Sequence, residues 1–186
     1  MVAETYLETN DWASVKKYVI ENNTMQKSTQ KTGLRIFNEI QKRLKNLTEE
    51  ELAYFKDASM EEVKILSFVA CIKTYKLIYE FALEVVREKF LLFDYNIEPS
   101  DYISFYESKE VSSKKLSTIS EMTQYKLRQV MYLMFAEVNL IESTKNLYIT
   151  KPLLSEALIT ILLKDSPKLL SVFLMNNDEI AFYEQR

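Results

Sequence analysis

One glycine, Gly33, and three prolines in 186 residues leave this chain almost without the residues that tight turns require. Two-residue hairpin loops need positive φ, which glycine supplies most cheaply, and strand-to-helix crossovers draw on the same turn chemistry. Long stretches of Leu, Ile, Lys, Glu, Met and Tyr favour helix instead. The expectation is an all-α fold, a compact multi-helix bundle. Hydrophobic residues make up 47% of the chain and aromatics 12%, enough for one filled core or two small lobes.

Several function classes lose support at once. Cys71 is the single cysteine and there is no histidine, so no internal disulfide forms and any zinc ligands would be carboxylates alone. Neither a metal nor a cofactor is expected. The most apolar run, Ile65 to Ile72, is far shorter than the roughly 18 residues of a membrane span and is followed by Lys73 and Lys76. The first residues carry Glu4, Glu8 and Asp11 rather than a basic leader. A cytoplasmic protein without membrane contact is expected. With no glycine-rich phosphate loop and no serine or cysteine set beside a base, an enzyme is not expected. The carboxylate runs read as solvated helix starts.

Charge is distributed unevenly along a chain of net charge −3. Ser14 to Lys45 sums to +6, whereas Asn46 to Glu62 sums to −5. The basic stretch reads as two helices. Asp11 to Asn22 has Asp11 as N-cap and Trp12, Val15 and Val19 on one side; Asn22, Asn23 and Thr24 break it. A second helix runs from Ser28 or Thr29 to about Leu47, with Phe37, Ile40, Leu44 and Leu47 in one quadrant. Lys27, Lys31, Arg35, Asn38, Lys42 and Lys45 fall on the opposite side.

Helix, polar break, then a helix opening with Ser, Thr, Gln and Lys is the plan of a helix-turn-helix unit. In that plan Ser28 and Thr29 cap the helix or donate to phosphate, and Gln26 or Gln30 reads base edges. The same pattern equally describes a solvated basic face on a packed helical pair, and spacing alone does not choose.

Thr48 and Glu51 make a capping box for a third helix. Met60 to Phe93, apolar on nearly all sides, predicts one helix or two nearly collinear ones at the centre of a bundle. Pro99 and Ser100 restart the chain ahead of a short helix at Asp101 to Tyr106. The Ser- and Lys-rich stretch 107–120 is the expected linker between an N-terminal helical lobe, 1–106, and a C-terminal helical lobe, 121–186, packed on it. A short helix at Ser112 to Ile119 and a turn at Ser120 to Met122 precede a longer helix at Thr123 to Asn139. Leu127, Val130, Met134, Val138 and Ile141 are expected to face inward from it. With Lys126 and Arg128 in its first two turns and an extended wing at Tyr148 to Pro152, it predicts a second, winged-helix-like unit.

Residues along almost the whole chain carry a resemblance. They are Val19, Glu21 and Asn22 before Gln26, Lys27 and Ser28; Arg35, Ile40, Arg43 and Leu44; Tyr75, Phe81 and EVVREK at 84–89; Asp101, Tyr102 and Phe105; KLRQ at 126–129; and PLLS at 152–155. In order and spacing the sequence resembles the BrxA family of BREX (bacteriophage exclusion) phage-defence systems. The resemblance implies a cytoplasmic helical protein with helix-turn-helix-like units flanked by positive surface, binding double-stranded DNA without catalysis. On this reading Lys27, Lys31, Arg35 and Lys42 hold phosphates while Ser28 and Thr29 abut a groove, with Lys126 and Arg128 as contacts in the second unit. Other BREX subunits are expected partners, and the chain is expected to be monomeric. The alternative is a helical scaffold subunit that docks other defence components and leaves DNA to them.

Overall fold

Scarcity of turn residues has the expected consequence. In the computed structural model, which describes residues 1–186, helices supply nearly all regular structure and β pairing is confined to two isolated antiparallel bridges. The chain divides into two compact units, Met1–Tyr75 and Lys76–Arg186.

The first unit opens with α1 (Val2–Thr9), which ends at Asn10 in the left-handed conformation. In α2 (Trp12–Glu21), Asp11 is the N-cap, accepting hydrogen bonds from the amides of Ala13 and Ser14 at 3.1 and 2.8 Å. The Ser14 hydroxyl, with those two amides, holds the Asp11 carboxyl below its ordinary pKa. Trp12 stacks on Tyr6 with ring centroids 4.1 Å apart, which ties α2 to α1. Val15 and Val19 are fully buried. Then come α3 (Gln30–Leu44), α4 (Glu49–Tyr54), started by the anticipated Thr48 and Glu51 capping box, and α5 (Met60–Thr74).

Helix α5 buries Ile65, Leu66, Phe68, Val69, Ala70, Cys71 and Ile72, as an all-round apolar helix should. It stops at Tyr75, whose backbone turns extended (φ −121°, ψ 94°). Glu51 departs from the picture of solvated helix starts. It is fully buried, and its Oε2 accepts from the Thr48 amide at 2.7 Å and from Lys73 Nζ at 2.8 Å. A carboxylate survives burial only when paired and hydrogen-bonded, and Lys73 on α5 provides the pairing.

The second unit begins with α6 (Lys76–Phe81), which runs through a π-helical segment, Ala82–Arg87, into α7 (Glu88–Leu91). Next come α8 (Pro99–Ser112), α9 (Glu121–Glu137), α10 (Glu156–Asp165), α11 (Pro167–Val172) and α12 (Asn177–Glu184). Phe81 is its aromatic hub: its ring centroid lies 5.1 Å from Phe105, 5.9 Å from Tyr102, 6.0 Å from Phe135 and 6.1 Å from Tyr132.

Around the stretch expected to form an extended wing, the backbone makes isolated bridges rather than strands. Ile141 pairs with Ile149, and Tyr148 pairs with Asn96. Bonds from the Ile149 amide to the Tyr95 carbonyl (2.7 Å) and from the Glu142 amide to the Tyr148 carbonyl (2.9 Å) accompany these bridges.

Three expectations need correction in this half. Stretch 107–120 is not a boundary between units: α8 extends past Tyr106 to Ser112, only Leu116–Thr118 forms a 3-10 turn, and the Tyr106 hydroxyl donates to the Leu116 carbonyl at 3.0 Å. Ser and Lys are abundant there because the segment is exposed, and the chain divides instead after Tyr75. The helix at Asp101 to Tyr106 is correspondingly longer than expected. Finally, α9 is turned about its axis: Met131, Tyr132 and Phe135 are buried, whereas Leu127 and Val130 are exposed, with Met134 between and Val138 and Ile141 inside as expected. Tyr132 and Phe135 join the rings around Phe81, and that aromatic burial sets the face.

Candidate nucleic-acid interface

The basic helix is built as its sequence promised. Thr29 is the N-cap of α3, its hydroxyl accepting from the Thr32 amide at 3.2 Å and lying 2.9 Å from the Thr32 hydroxyl. Phe37 and Leu44 are buried on the inner face, and Ile40 is half-buried. Asn23 and Gln26 take positive φ (44° and 49°) in the segment that enters α3, and the Lys27 amide donates to Asn23 Oδ1 at 3.1 Å. That bond fixes the Lys27 backbone and leaves its side chain in solvent.

Gly33 sits on the buried side of α3, where an added Cβ would meet only Ile20 Cδ1 at an ordinary 3.9 Å. Its φ is not positive, so the position demands no glycine. Gly33→Ala should therefore raise stability by about 0.5–1 kcal/mol, read as a higher urea midpoint, because alanine costs the helix less backbone entropy.

Lys31, Arg35, Asn38 and Lys42 are exposed and line one groove along α3 with Thr32, Leu34 and Glu39. Eleven positions at the helical rise make this stripe about 16 Å long. Lys27, Lys31 and Arg35 have no carboxylate partner within the chain. Lys42 Nζ lies 4.8 Å over the Tyr75 ring, and Arg43 shares that ring at 5.4 Å while pairing with Glu39 at 3.1 Å. Ser28 and Thr29 are exposed at the head of the stripe. Lys31, Arg35 and Lys42 thus line one groove, and Lys27, Ser28 and Thr29 are exposed just ahead of the helix. The connection from α2 to α3 is Asn22–Thr29, eight residues, about twice the length of a helix-turn-helix turn.

Lys126 and Arg128 fare differently. Lys126 is exposed, but Arg128 is half-buried, its guanidinium 5.4 Å from the centroids of both Tyr102 and Tyr125. It lines a cavity of about 300 Å³ between α8 and α9. Cation–π contact on two rings gives Arg128 a packing task. Burial pushes the phenols of Tyr102 and Tyr132 up to about 12. Both stay neutral in the fold to higher pH than in the unfolded chain, where a phenol titrates near 10. Their stabilising contribution is complete below pH 10 and is lost between pH 10 and 12. Melting temperature should fall over that interval, and Tyr132→Phe should make the fall shallower.

The charged residues of EVVREK have structural partners that sequence reasoning missed. Glu84 pairs with Lys109 at 2.6 Å, Arg87 Nη2 donates to Asn177 Oδ1 at 3.0 Å, and Lys89 pairs with Asp94 at 2.7 Å and Asp101 at 3.0 Å. One stretch thereby ties the π segment to α8 and to the start of α12. No helix is long and apolar enough to cross a membrane.

Fold and surface define an all-helical protein of two units, the first of which presents a one-sided, largely unpaired cationic helix. The chain belongs to the BrxA family, whose model matches residues 1–166. A Bacillus cereus (strain H3081.97) relative described as BREX protein BrxA is 30% identical over 142 residues, covering 76% of this chain and 71% of the relative. The fold is also similar to the crystal structure of an uncharacterized protein from Magnetospirillum magneticum (TM-score 0.78, 18% identity), over 92% of this chain and 88% of that one. Family membership makes the protein an antiphage defence component.

Proposed function

We propose that the protein is a non-enzymatic, DNA-binding accessory component of a cytoplasmic BREX-type defence system, holding duplex DNA through the α3 stripe. The observation that carries this reading is the pair Lys31 and Arg35, exposed in one groove of α3 without acidic partners, with the exposed and equally unpaired Lys27 just ahead of the helix. A cation left unpaired on a rigid helix is free to replace a phosphate's condensed counterion, and a series of them along one face follows a DNA backbone. The exposed Ser28 and Thr29 add hydroxyl donors at the head of α3. In the second unit, helix, extended segment, two helices and bridged segments follow one another in the order of a winged helix, which supports the helix-turn-helix-like reading there. Arg128 is committed to two tyrosine rings, so that unit contributes less to phosphate binding.

Fluorescence anisotropy with a labelled duplex across a salt series tests the proposal. Affinity should fall linearly on logarithmic axes as salt rises. Absence of binding at low salt would instead favour the scaffold reading, in which α3 docks an acidic surface of another defence subunit. The long Asn22–Thr29 connection is the observation in favour of that alternative, because it does not present α3 as a recognition helix would be presented.

A further inference from the structure

The cavity between α8 and α9 has two charged ends that the chain itself leaves unused. Tyr102, Tyr106, Glu107 and Glu110 line it from α8, and Glu121, Tyr125 and Arg128 from α9. The Tyr102 hydroxyl donates to the Gln124 carbonyl at 3.3 Å and the Tyr106 hydroxyl to the Leu116 carbonyl at 3.0 Å, so α8 and the chain entering α9 run in opposite directions. That register sets Glu107 and Glu110, in the later turns of α8, toward the end where Glu121 opens α9. Arg128 lies two turns further along α9, about 10 Å by helical rise. Glu107, Glu110 and Glu121 have no cation or hydrogen-bond donor within the chain. Arg128 is half-buried over the rings of Tyr102 and Tyr125, yet its N–H groups donate to no acceptor of the chain. A guanidinium donates in its own plane, so contact with ring faces leaves those donors free. Burial and the charge of Glu110 hold the Tyr106 phenol above its ordinary pKa, which marks negative potential on the acidic side.

We propose that this cavity binds a free basic α-amino acid, its carboxylate on Arg128 and its side-chain cation between Glu110 and Glu121. Glu107, the α8 carboxylate nearer to Arg128, takes the α-ammonium, and the methylenes pass the tyrosine walls. The three carboxylates do not converge as the ligands of one metal ion would, and a metal ion would leave the Arg128 donors unused. A simple anion would satisfy Arg128 and face three carboxylates. Only a molecule carrying both charges meets both ends, and three carboxylates against one guanidinium favour one whose own net charge is positive. A volume of about 300 Å³ is at the small end for ligand cavities and suits a molecule of about a dozen non-hydrogen atoms. The site lies wholly in the second unit and makes no use of α3.

Isothermal titration calorimetry of the full chain with L-arginine, without DNA, is the test, and a Kd at or below about 1 mM is expected. Agmatine, which lacks the carboxylate, and L-citrulline, which lacks the side-chain cation, should each bind about tenfold more weakly, because each gives up charge-assisted hydrogen bonds at one end. Arg128→Gln should weaken L-arginine about tenfold and leave agmatine unchanged. Glu110→Gln with Glu121→Gln should weaken L-arginine and leave L-citrulline unchanged. That pair preserves side-chain size and breaks no contact within the chain, so it decides the matter if Arg128→Gln lowers helicity. Nα-acetyl-L-arginine, which imitates the C-terminal residue of a peptide, should bind more weakly than L-arginine, since acetylation removes the charge that Glu107 meets. Equal binding of the acetylated form overturns the free amino acid in favour of a peptide C-terminus. Absence of binding at about 10 mM L-arginine overturns the site altogether. Agmatine as tight as L-arginine reduces the cavity to a trap for any cation and overturns the role of Arg128, and an affinity indifferent to the glutamate pair overturns the acidic end. Because no DNA is present, none of these outcomes bears on the α3 reading.

Discussion

Lys31→Glu combined with Arg35→Glu should lower duplex affinity about a hundredfold in moderate salt while leaving the fold intact. Both side chains are exposed and have no partner within the chain, so their removal strands no buried group. Stability should change by no more than about 0.5 kcal/mol. A charge-assisted hydrogen bond contributes about 1.5 kcal/mol at the low end, and removing two corresponds to roughly two decades in Kd. The log–log salt slope should shrink by roughly 0.9 for each phosphate that is no longer neutralised. The control is Lys114→Glu with Lys115→Glu, an equal charge change at exposed positions in the second unit, which should cost far less. Equal effects from both pairs would mean diffuse attraction of an anionic polymer. No effect from the α3 pair would transfer the stripe to a protein partner.

The cationic surface was legible in the sequence because α3 obeys local rules. Its cap, its inner face and its outer face are each set by residues within one helix, and periodicity reads such a helix directly. Asp11 as N-cap and the Thr48 and Glu51 box belong to the same category, since a cap involves residues two or three apart. Even so, the box concealed a second task. Glu51 both closes it and meets Lys73 from α5, a pairing across 22 positions that no local pattern encodes.

Helix α9 failed for the same physical reason. Leu127, Val130 and Met134 make a respectable apolar face, but so do Met131, Tyr132 and Phe135, and only the position of Phe81 decides between them. Composition misled at 107–120, where Ser and Lys mark exposure rather than the edge of a folded unit. The break after Thr74 has neither Pro nor Gly to announce it: Tyr75 simply turns extended between Thr74 and Lys76. Residues that carried the family resemblance divide similarly. Lys27 and Arg35 are exposed on the candidate interface, whereas Glu84, Arg87, Lys89 and Arg128 are spent on partners inside the second unit.

Phe81→Ala should be the most destabilising single truncation in the second unit. The side chain is fully buried and meets four rings from α8 and α9, including an edge-to-face approach to Phe105 at an interplanar angle of 86°. Truncation of a buried phenylalanine costs about 3–5 kcal/mol, part of it for the cavity left behind. Aromatic pairs add about 0.5–1.5 kcal/mol each beyond the area they bury. The position directly precedes the π-helical segment, so collapse into the cavity would have to bend a helix already fixed by the Glu84–Lys109 and Lys89–Asp101 pairs. The expected result is a melting temperature lower by roughly 10 °C for a chain of this length, with reduced near-ultraviolet dichroism. Phe81→Leu should cost less than half as much, because it keeps most of the volume. At a temperature where Phe81→Ala remains folded, its DNA affinity should match that of the parent protein, since the α3 stripe lies wholly within the first unit. An undiminished melting temperature would remove Phe81 from the centre of the second unit's core. Weakened affinity in the folded variant would show that the second unit contributes to DNA binding as heavily as the first.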